Sequence, residues 1–413
     1  MTVRRPTVRR TTGQAIGHEV GHEMGRMSRR MSGALVAAVT GLVLAGCAAT
    51  GGQDGAKSDV RWIDTLEERE PIPADRFELA SPQQSVVGEV QIIQARESDT
   101  FPDIARAYGL GYDELVQANP GVDPWLPGEG TIIVLPTQFV LPHAPREGVV
   151  LNIAAKRLFY FPPADEGDAQ TVITHPIGIG REGWETPTGT AEVIDKARDP
   201  VWYPPWSVRQ EHAEAGNPLP AVVEPGPDNP LGNRVLQLDM PGYLIHGTNQ
   251  PYGVGMRVSH GCVRLYPENI ETLYEQVDRG TPVTIVNQPL LYGRRAGEFY
   301  LEAHPMLAED ERDPAALIDE LMERARQESG AFAEEHERVN ARRAAADARG
   351  VPIRVLSRDD NELARRVRLV ANVVEPDPEA PTLAEVAELI DEMMMESDPD
   401  AAAGDTQQEA AVE

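Results

Sequence analysis

The sequence predicts a mainly β domain, antiparallel and sandwich- or barrel-like, over residues 147–288. A small α+β module precedes it over 88–137, and a helical extension follows over 289–413. Three observations carry that reading. Short runs of period-two or β-branched composition recur between residues 148 and 287, separated by Gly, Pro and Asn. Ahead of them a compact block reads strand, helix, helix, strand. Behind them the apolar residues fall at helical spacing.

Residues 1–46 read as an extension and an export signal. Arg26, Arg29 and Arg30 precede Ser32–Ala45, an almost wholly small or apolar run, and Leu44-Ala45-Gly46-Cys47 closes it. The run is too short to span a bilayer comfortably. Its ending resembles the bacterial lipobox, which implies that Cys47 becomes the lipidated first residue of the mature protein. Ala48 stands where an aspartate would hold many such lipoproteins at the inner membrane, and so implies the outer membrane. His18-Glu19-Val20-Gly21-His22 matches H-E-x-x-H, but it lies in a polar extension without a third ligand and is read as coincidence. Residues 47–87 are polar, charged and proline-containing, and read as a tether.

In the module, Glu89–Gln94 has strand composition, and Ser98-Asp99-Thr100 caps a helix running through Ala107 with Ile104 and Ala105 inside. Tyr112–Ala118 forms a second helix ending before Asn119-Pro120. Trp125–Gly130 turns the chain into a strand over Thr131–Leu135. The residues Asp99-Thr100, Ile104-Ala105, Asn119-Pro120 and Pro127-Gly128 resemble a LysM module, which implies binding of N-acetylglucosamine-containing glycan; a ligand-free spacer is the alternative.

The β domain takes its strands from Val149–Ile153, Leu158–Phe161, Thr171–Ile179, Ala191–Ile194, Val235–Leu238, Leu244–Ile245 and Thr281–Val286. One helix stands out after Pro267-Glu268, with Ile270, Leu273, Tyr274 and Val277 on one face. Asp199–Pro230 holds eight prolines and two tryptophans, a density at which no regular element is expected. In the extension, stripes at Leu317, Ile318 and Leu321 and at Leu383–Met394 predict helices, Val351–Val355 could add a strand, and Asp398–Glu413 is acidic and Ala-rich.

The chain has 413 residues with 66 acidic and 38 basic side chains, a net charge of −28. That balance argues against a nucleic-acid partner, which would need clustered Lys and Arg. Two cysteines, Cys47 and Cys262, cannot make a disulfide framework or a Cys-rich zinc module.

The chemistry concentrates at His246-Gly247-Thr248 and Ser259-His260-Gly261-Cys262-Val263-Arg264. With Cys47 committed to lipid, Cys262 is a lone thiol flanked by glycine, with two histidines close in sequence. A neighbouring imidazole turns such a thiol into a nucleophile by taking its proton, giving a thiolate–imidazolium pair. Gly261 allows close backbone approach, and consecutive amides there could hold an oxyanion. No Asp or Asn nearby orients the imidazole, so a backbone carbonyl is the available partner. On spacing alone, a buried structural thiol with satisfied histidines and a zinc site from His246, His260 and Cys262 both stay open.

Those two motifs look like the active-site signature of the L,D-transpeptidases, the YkuD-type catalytic domain. Gly178-Ile179-Gly180 and Glu185-Thr186-Pro187-Thr188-Gly189 match as well, and Pro241–Asn269 resembles the Gram-negative ErfK/YbiS-like branch. The resemblance implies Cys262 as nucleophile and His246 as general acid and base, oriented by the Gly247 carbonyl. It implies that His260 and Gly261 shape the site and that Arg264, Ser259, Tyr243 and Thr248 bind substrate. No metal or organic cofactor is implied. The implied partners are peptidoglycan stem peptides and glycan, an outer-membrane lipoprotein as one acceptor, and the membrane through the N-terminal lipid. Carbapenem β-lactams are implied as acylating inhibitors.

Overall fold

The computed structural model describes residues 66–375, apart from residue 166 and residues 358–361. The export signal, Cys47, the H-E-x-x-H run, the stripe over 383–394 and the acidic tail lie outside the described residues. Among the described residues no helix is long and apolar enough to cross a membrane.

Two short strands, β1 (Arg76–Glu78) and β2 (Val86–Gly88), come first. The module follows as β3 (Gln91–Gln94), α1 (Phe101–Ala107), α2 (Tyr112–Ala118) and β4 (Ile132–Leu135), the order that its sequence predicts. The Thr100 side chain accepts the Asp103 N–H and so caps α1, with Pro102 in the first turn. β3 and β4 pair antiparallel, and β5 (Gln138–Val140) pairs antiparallel with β2.

The main sheet is built from β6 (Gly148–Asn152), β7 (Arg157–Phe161), β8 (Thr171–Pro176), β10 (Gly189–Arg198), β11 (Arg234–Leu238), β12 (Leu244–His246), β14 (Val263–Arg264) and β15 (Pro282–Val286). A separate pair, β9 (Ile179–Gly180) and β13 (Arg257–Ser259), sits beside it. Nine strands run in the order β1-β8-β7-β6-β15-β10-β11-β12-β14. β1 therefore belongs to the body, although its residues read as part of a tether: its backbone pairs with β8 from Arg76 opposite Ile173 to Glu78 opposite Thr171.

The sheet is mixed rather than antiparallel. β6–β15, β12–β14 and β9–β13 are parallel pairs. The helix α4 (Pro267–Gln276) carries the chain from β14 at one edge of the sheet to β15 in its interior. Strand composition reports burial and not pairing direction, so the local pattern could not reveal this. The expected run Thr171–Ile179 breaks after Pro176, and the chain leaves β8 to form β9 against β13.

β6, β7 and β8 are buried on both faces. Val149, Leu151, Leu158 and Tyr160 enter one core with Ile270 and Leu273 of α4, while Val150, Phe159, Phe161 and Val172 enter a second with Ile104 and Leu115 of the module. The joint between module and sheet is also polar. Arg157 Nε and Nη2 donate to Glu114 Oε1 and Oε2 at 2.6 and 2.7 Å, and Nη2 donates to Gly109 O at 3.0 Å.

The proline-rich segment contains a helix, α3 (Trp206–Glu214), which its composition argued against. Pro205 occupies the N-cap and the next proline is Pro218, so the prolines bracket the helix and none interrupts it.

The extension is not purely helical. β16 (Leu290–Arg295) and β17 (Glu298–Ala303) form a hairpin, joined by β18 (Ile353–Arg354), with α5 (Pro314–Ser329) and α6 (Glu335–Asp347) packed on it. The hairpin turns on Ala296 and Gly297, both at positive φ (52° and 85°), and alanine at the first position hides the Asn-Gly type of signal. β19 (Arg368–Leu369) then returns to the module and pairs in parallel with β3.

Candidate active site

His246 ends β12 and Cys262 immediately precedes β14, the parallel neighbour in which Ile245 opposes Val263 and His246 opposes Arg264. Ile245 and Val263 point into the core. By the alternation of a strand, Leu244, His246, Cys262 and Arg264 face the other side. The Leu244 N–H bonds toward the Cys262 sulfur, and the Arg264 charge acts on both Cys262 and His246.

His246 is buried, 3% exposed. Its Nδ1 lies 2.6 Å from Gly247 O. A carbonyl only accepts, so Nδ1 carries the proton and Nε2 holds the lone pair. Burial, aided by the Arg264 charge, pushes the imidazole down to about 3, against the pull of the Gly247 and Leu231 carbonyls. Cys262 is partly buried, with its S–H 3.5 Å from Gly242 O. Burial pushes its thiol up, and the Leu244 N–H and Arg264 only partly offset this. Burial thus weighs against both the thiolate and the imidazolium. The expected preformed thiolate–imidazolium pair is not what this environment favours, because both charged forms lose hydration.

The turn carrying Cys262 is held at several points. Ser259 Oγ donates to Cys262 O at 2.5 Å, and Thr186 Oγ1 donates to Gly261 O at 2.9 Å. Gly261 has φ +98°, and a Cβ there would lie 3.0 Å from Tyr243 Cε1. Tyr243 itself packs partly buried against the main core. Thr248 is buried, and its Oγ1 accepts the Gln250 N–H at 2.9 Å, which shapes the loop after His246. Ser259 and Thr248, both expected to bind substrate, thus have hydroxyls engaged with their own backbone.

His260 turns to a different set of groups. Its Nε2 lies 3.1 Å from Arg181 Nη2 and 3.1 Å from Glu211 Oε2. A lone pair there accepts from Arg181 and a proton there donates to Glu211, so the nitrogen serves one of them at a time. Arg181 and Glu211 are themselves paired. The Trp184 ring meets His260 edge to face at 4.9 Å. Burial and then Arg181 push His260 down to about 4.

Arg181, Trp184, Thr186 and Glu211 were not among the site residues read from sequence. Thr186 lies inside a quoted motif, but only the tertiary fold brings it to Gly261, and Glu211 sits on the unexpected helix α3.

Residues 146–285 match the family model described as the L,D-transpeptidase catalytic domain, YkuD. "Probable L,D-transpeptidase YcfS" of Escherichia coli K12 is 41% identical over 254 residues, covering 60% of this chain and 78% of that protein. "Probable L,D-transpeptidase YbiS" of the same strain is 42% identical over 245 residues, 58% of this chain and 76% of that one. "Probable L,D-transpeptidase ErfK/SrfK" of Salmonella typhimurium LT2 is 39% identical over 242 residues, 58% and 74% respectively. With relatives this similar over three quarters of their length, the chain belongs to the L,D-transpeptidase family.

Proposed function

We propose that this protein is a peptidoglycan L,D-transpeptidase, with Cys262 as nucleophile and His246 as general acid and base. The observation that carries the reading is the β12–β14 pairing, which sets Cys262 and His246 on one side of adjacent strands with the Gly247 carbonyl on Nδ1. With burial weighing against both charged forms, attack and proton transfer run together. Sγ bonds to the carbonyl carbon of the third stem residue as Nε2 takes the thiol proton, and the carbonyl electron pair moves onto oxygen. Return of that pair breaks the bond to the terminal D-alanine, whose nitrogen takes the proton from His246. A thioester remains. An amine then attacks it, His246 takes the amine proton, and the C–S bond breaks to restore the thiol.

The acceptor amine belongs to a second stem, giving a 3→3 crosslink, or to a lysine of a lipoprotein. Arg264, beside the catalytic pair, supplies positive charge for substrate carboxylates. The strand–helix–helix–strand module supports a LysM-like reading, which would hold glycan beside the site. Cys47 is proposed as the lipid attachment point of an exported, outer-membrane-anchored chain.

The test is incubation of the full chain with disaccharide-tetrapeptide muropeptides, followed by mass spectrometry. Expected products are free D-alanine, an acyl-enzyme on Cys262 and crosslinked dimers. Tripeptide without dimer would make water the acceptor. No acyl-enzyme and no product would reduce the protein to a wall-binding one.

A further inference from the structure

We propose that Thr186 is a positioning residue that aims the Cys262 peptide N–H at the oxyanion formed during acyl transfer; the assignment rests on the transpeptidase reading above. Thr186 is buried, 5% exposed, and both capacities of its hydroxyl are used. It accepts the Gly180 N–H at 3.0 Å and donates to Gly261 O at 2.9 Å. The Gly261 carbonyl and the Cys262 N–H belong to one planar trans peptide and point in opposite directions. Fixing that carbonyl on Thr186 therefore turns the N–H away from the Trp184–Thr186 loop, to the side left for the substrate carbonyl. Ser259 Oγ on Cys262 O holds the next peptide plane. Both planes bracketing the nucleophile are thus held by hydroxyls.

Two further observations support a built device. A Cβ at Gly180 would lie 1.9 Å from Trp184 O and 2.9 Å from the Thr186 nitrogen, so the loop can reach this position only over a glycine. Gly180 also lies in β9, whose parallel partner β13 delivers Ser259, with Gly180 opposite Ser259. One strand pair therefore carries both ends of the clamp.

The test separates aim from thiol reactivity. Alkylation of Cys262 by iodoacetamide makes no oxyanion, whereas acylation by a carbapenem β-lactam does. In Thr186→Val, acylation should fall by about 10²-fold, the lower end of what loss of an oxyanion donor costs. Alkylation should stay near wild type, and Thr186→Ser should recover most of the acylation rate. Equal acylation in wild type and Thr186→Val overturns this assignment alone. So does a parallel fall in alkylation that Thr186→Ser shares, since that marks a packing role. A wild type that alkylates but forms no acyl-enzyme overturns the transpeptidase reading and this assignment with it.

Discussion

Two of the buried polar centres among the described residues are built in opposite ways. At the joint between module and sheet, Arg157 is 1% exposed and Glu114 is 6% exposed. They form a bidentate ion pair, with Gly109 O and Thr174 Oγ1 taking further guanidinium protons. At the Cys262 turn, His246 is as buried, but the groups that act on it are the Gly247 and Leu231 carbonyls and the Arg264 guanidinium, with no carboxylate among them. The first centre meets its buried charge with an opposite charge, completed by a carbonyl and a hydroxyl, and so ties the module to the sheet. The second gives His246 no opposite charge to offset its burial, and burial pushes both His246 and Cys262 toward their neutral forms. What separates a structural from a chemical centre here is the counter-charge, not the burial.

Breaking each centre should therefore give a different signature. Cys262→Ala should lose all acyl-enzyme while melting with wild type, as followed by intact mass and calorimetry. His246→Gln should slow acylation by about 10²–10⁴-fold, the scale of a lost acid–base group, with little loss of stability. In the wild type at neutral pH, ultraviolet absorbance should show no thiolate on Cys262; a full thiolate signal would overturn the neutral pair. Glu114→Ala should do the reverse. It leaves the Arg157 guanidinium buried and unpaired, at a cost of about 3–5 kcal/mol in denaturant unfolding, and acylation of the folded fraction should persist.

Acid should find the two centres at different points. His175 is buried next to Arg157 and pushed down to about 4, and His246 to about 3, whereas both titrate near 6.5 when unfolded. Between those values the unfolded chain holds more protons, so stability is full above about pH 6.5 and drains as pH falls toward 4 and 3. His175 accounts for about 3 kcal/mol of that loss, and His175→Gln should flatten the profile read by urea titration. At the small end, the Arg106–Glu268 bridge between α1 and α4 is half exposed at 2.9 Å. Arg106→Gln should change stability by about 0–1 kcal/mol, less in high salt.

Much of this was legible in sequence. The module's four elements follow from Thr100 as a cap, the β-branched Ile132–Val134 run and Asn119-Pro120 as a stop. α4 follows from Pro267 and the Ile270–Leu273–Tyr274 spacing. Cys262 and His246 stood out because a lone thiol between glycine and histidines is chemically conspicuous. Other features depended on distance through space. Parallel pairing of β12 with β14 leaves no local mark, since the same residues would suit an antiparallel neighbour. α3 was masked by prolines that lie at its ends. Arg181, Thr186 and Glu211 meet the turn over residues 259–262 from separate segments. The shifts at His246 and Cys262 come first from burial, which no motif records.

The return of β19 to β3 has a consequence for how the chain can fold. Arg368 pairs with Gln91 and Leu369 with Ile92, while Arg69 bonds to Leu369 O and receives the Ala371 N–H. Tyr108 donates to Ala371 O at 2.7 Å, and Asn372 reaches Asp99. A chain delivered N-terminus first, from a ribosome or through a translocon, exposes the edge of β3 from early in its emergence. That edge waits through nearly three hundred residues for its partner, and closing so long a loop is slow. Until residue 371 is free, one edge of β3 stands uncovered although β4 already pairs with the other, and that edge is open to pairing with another copy.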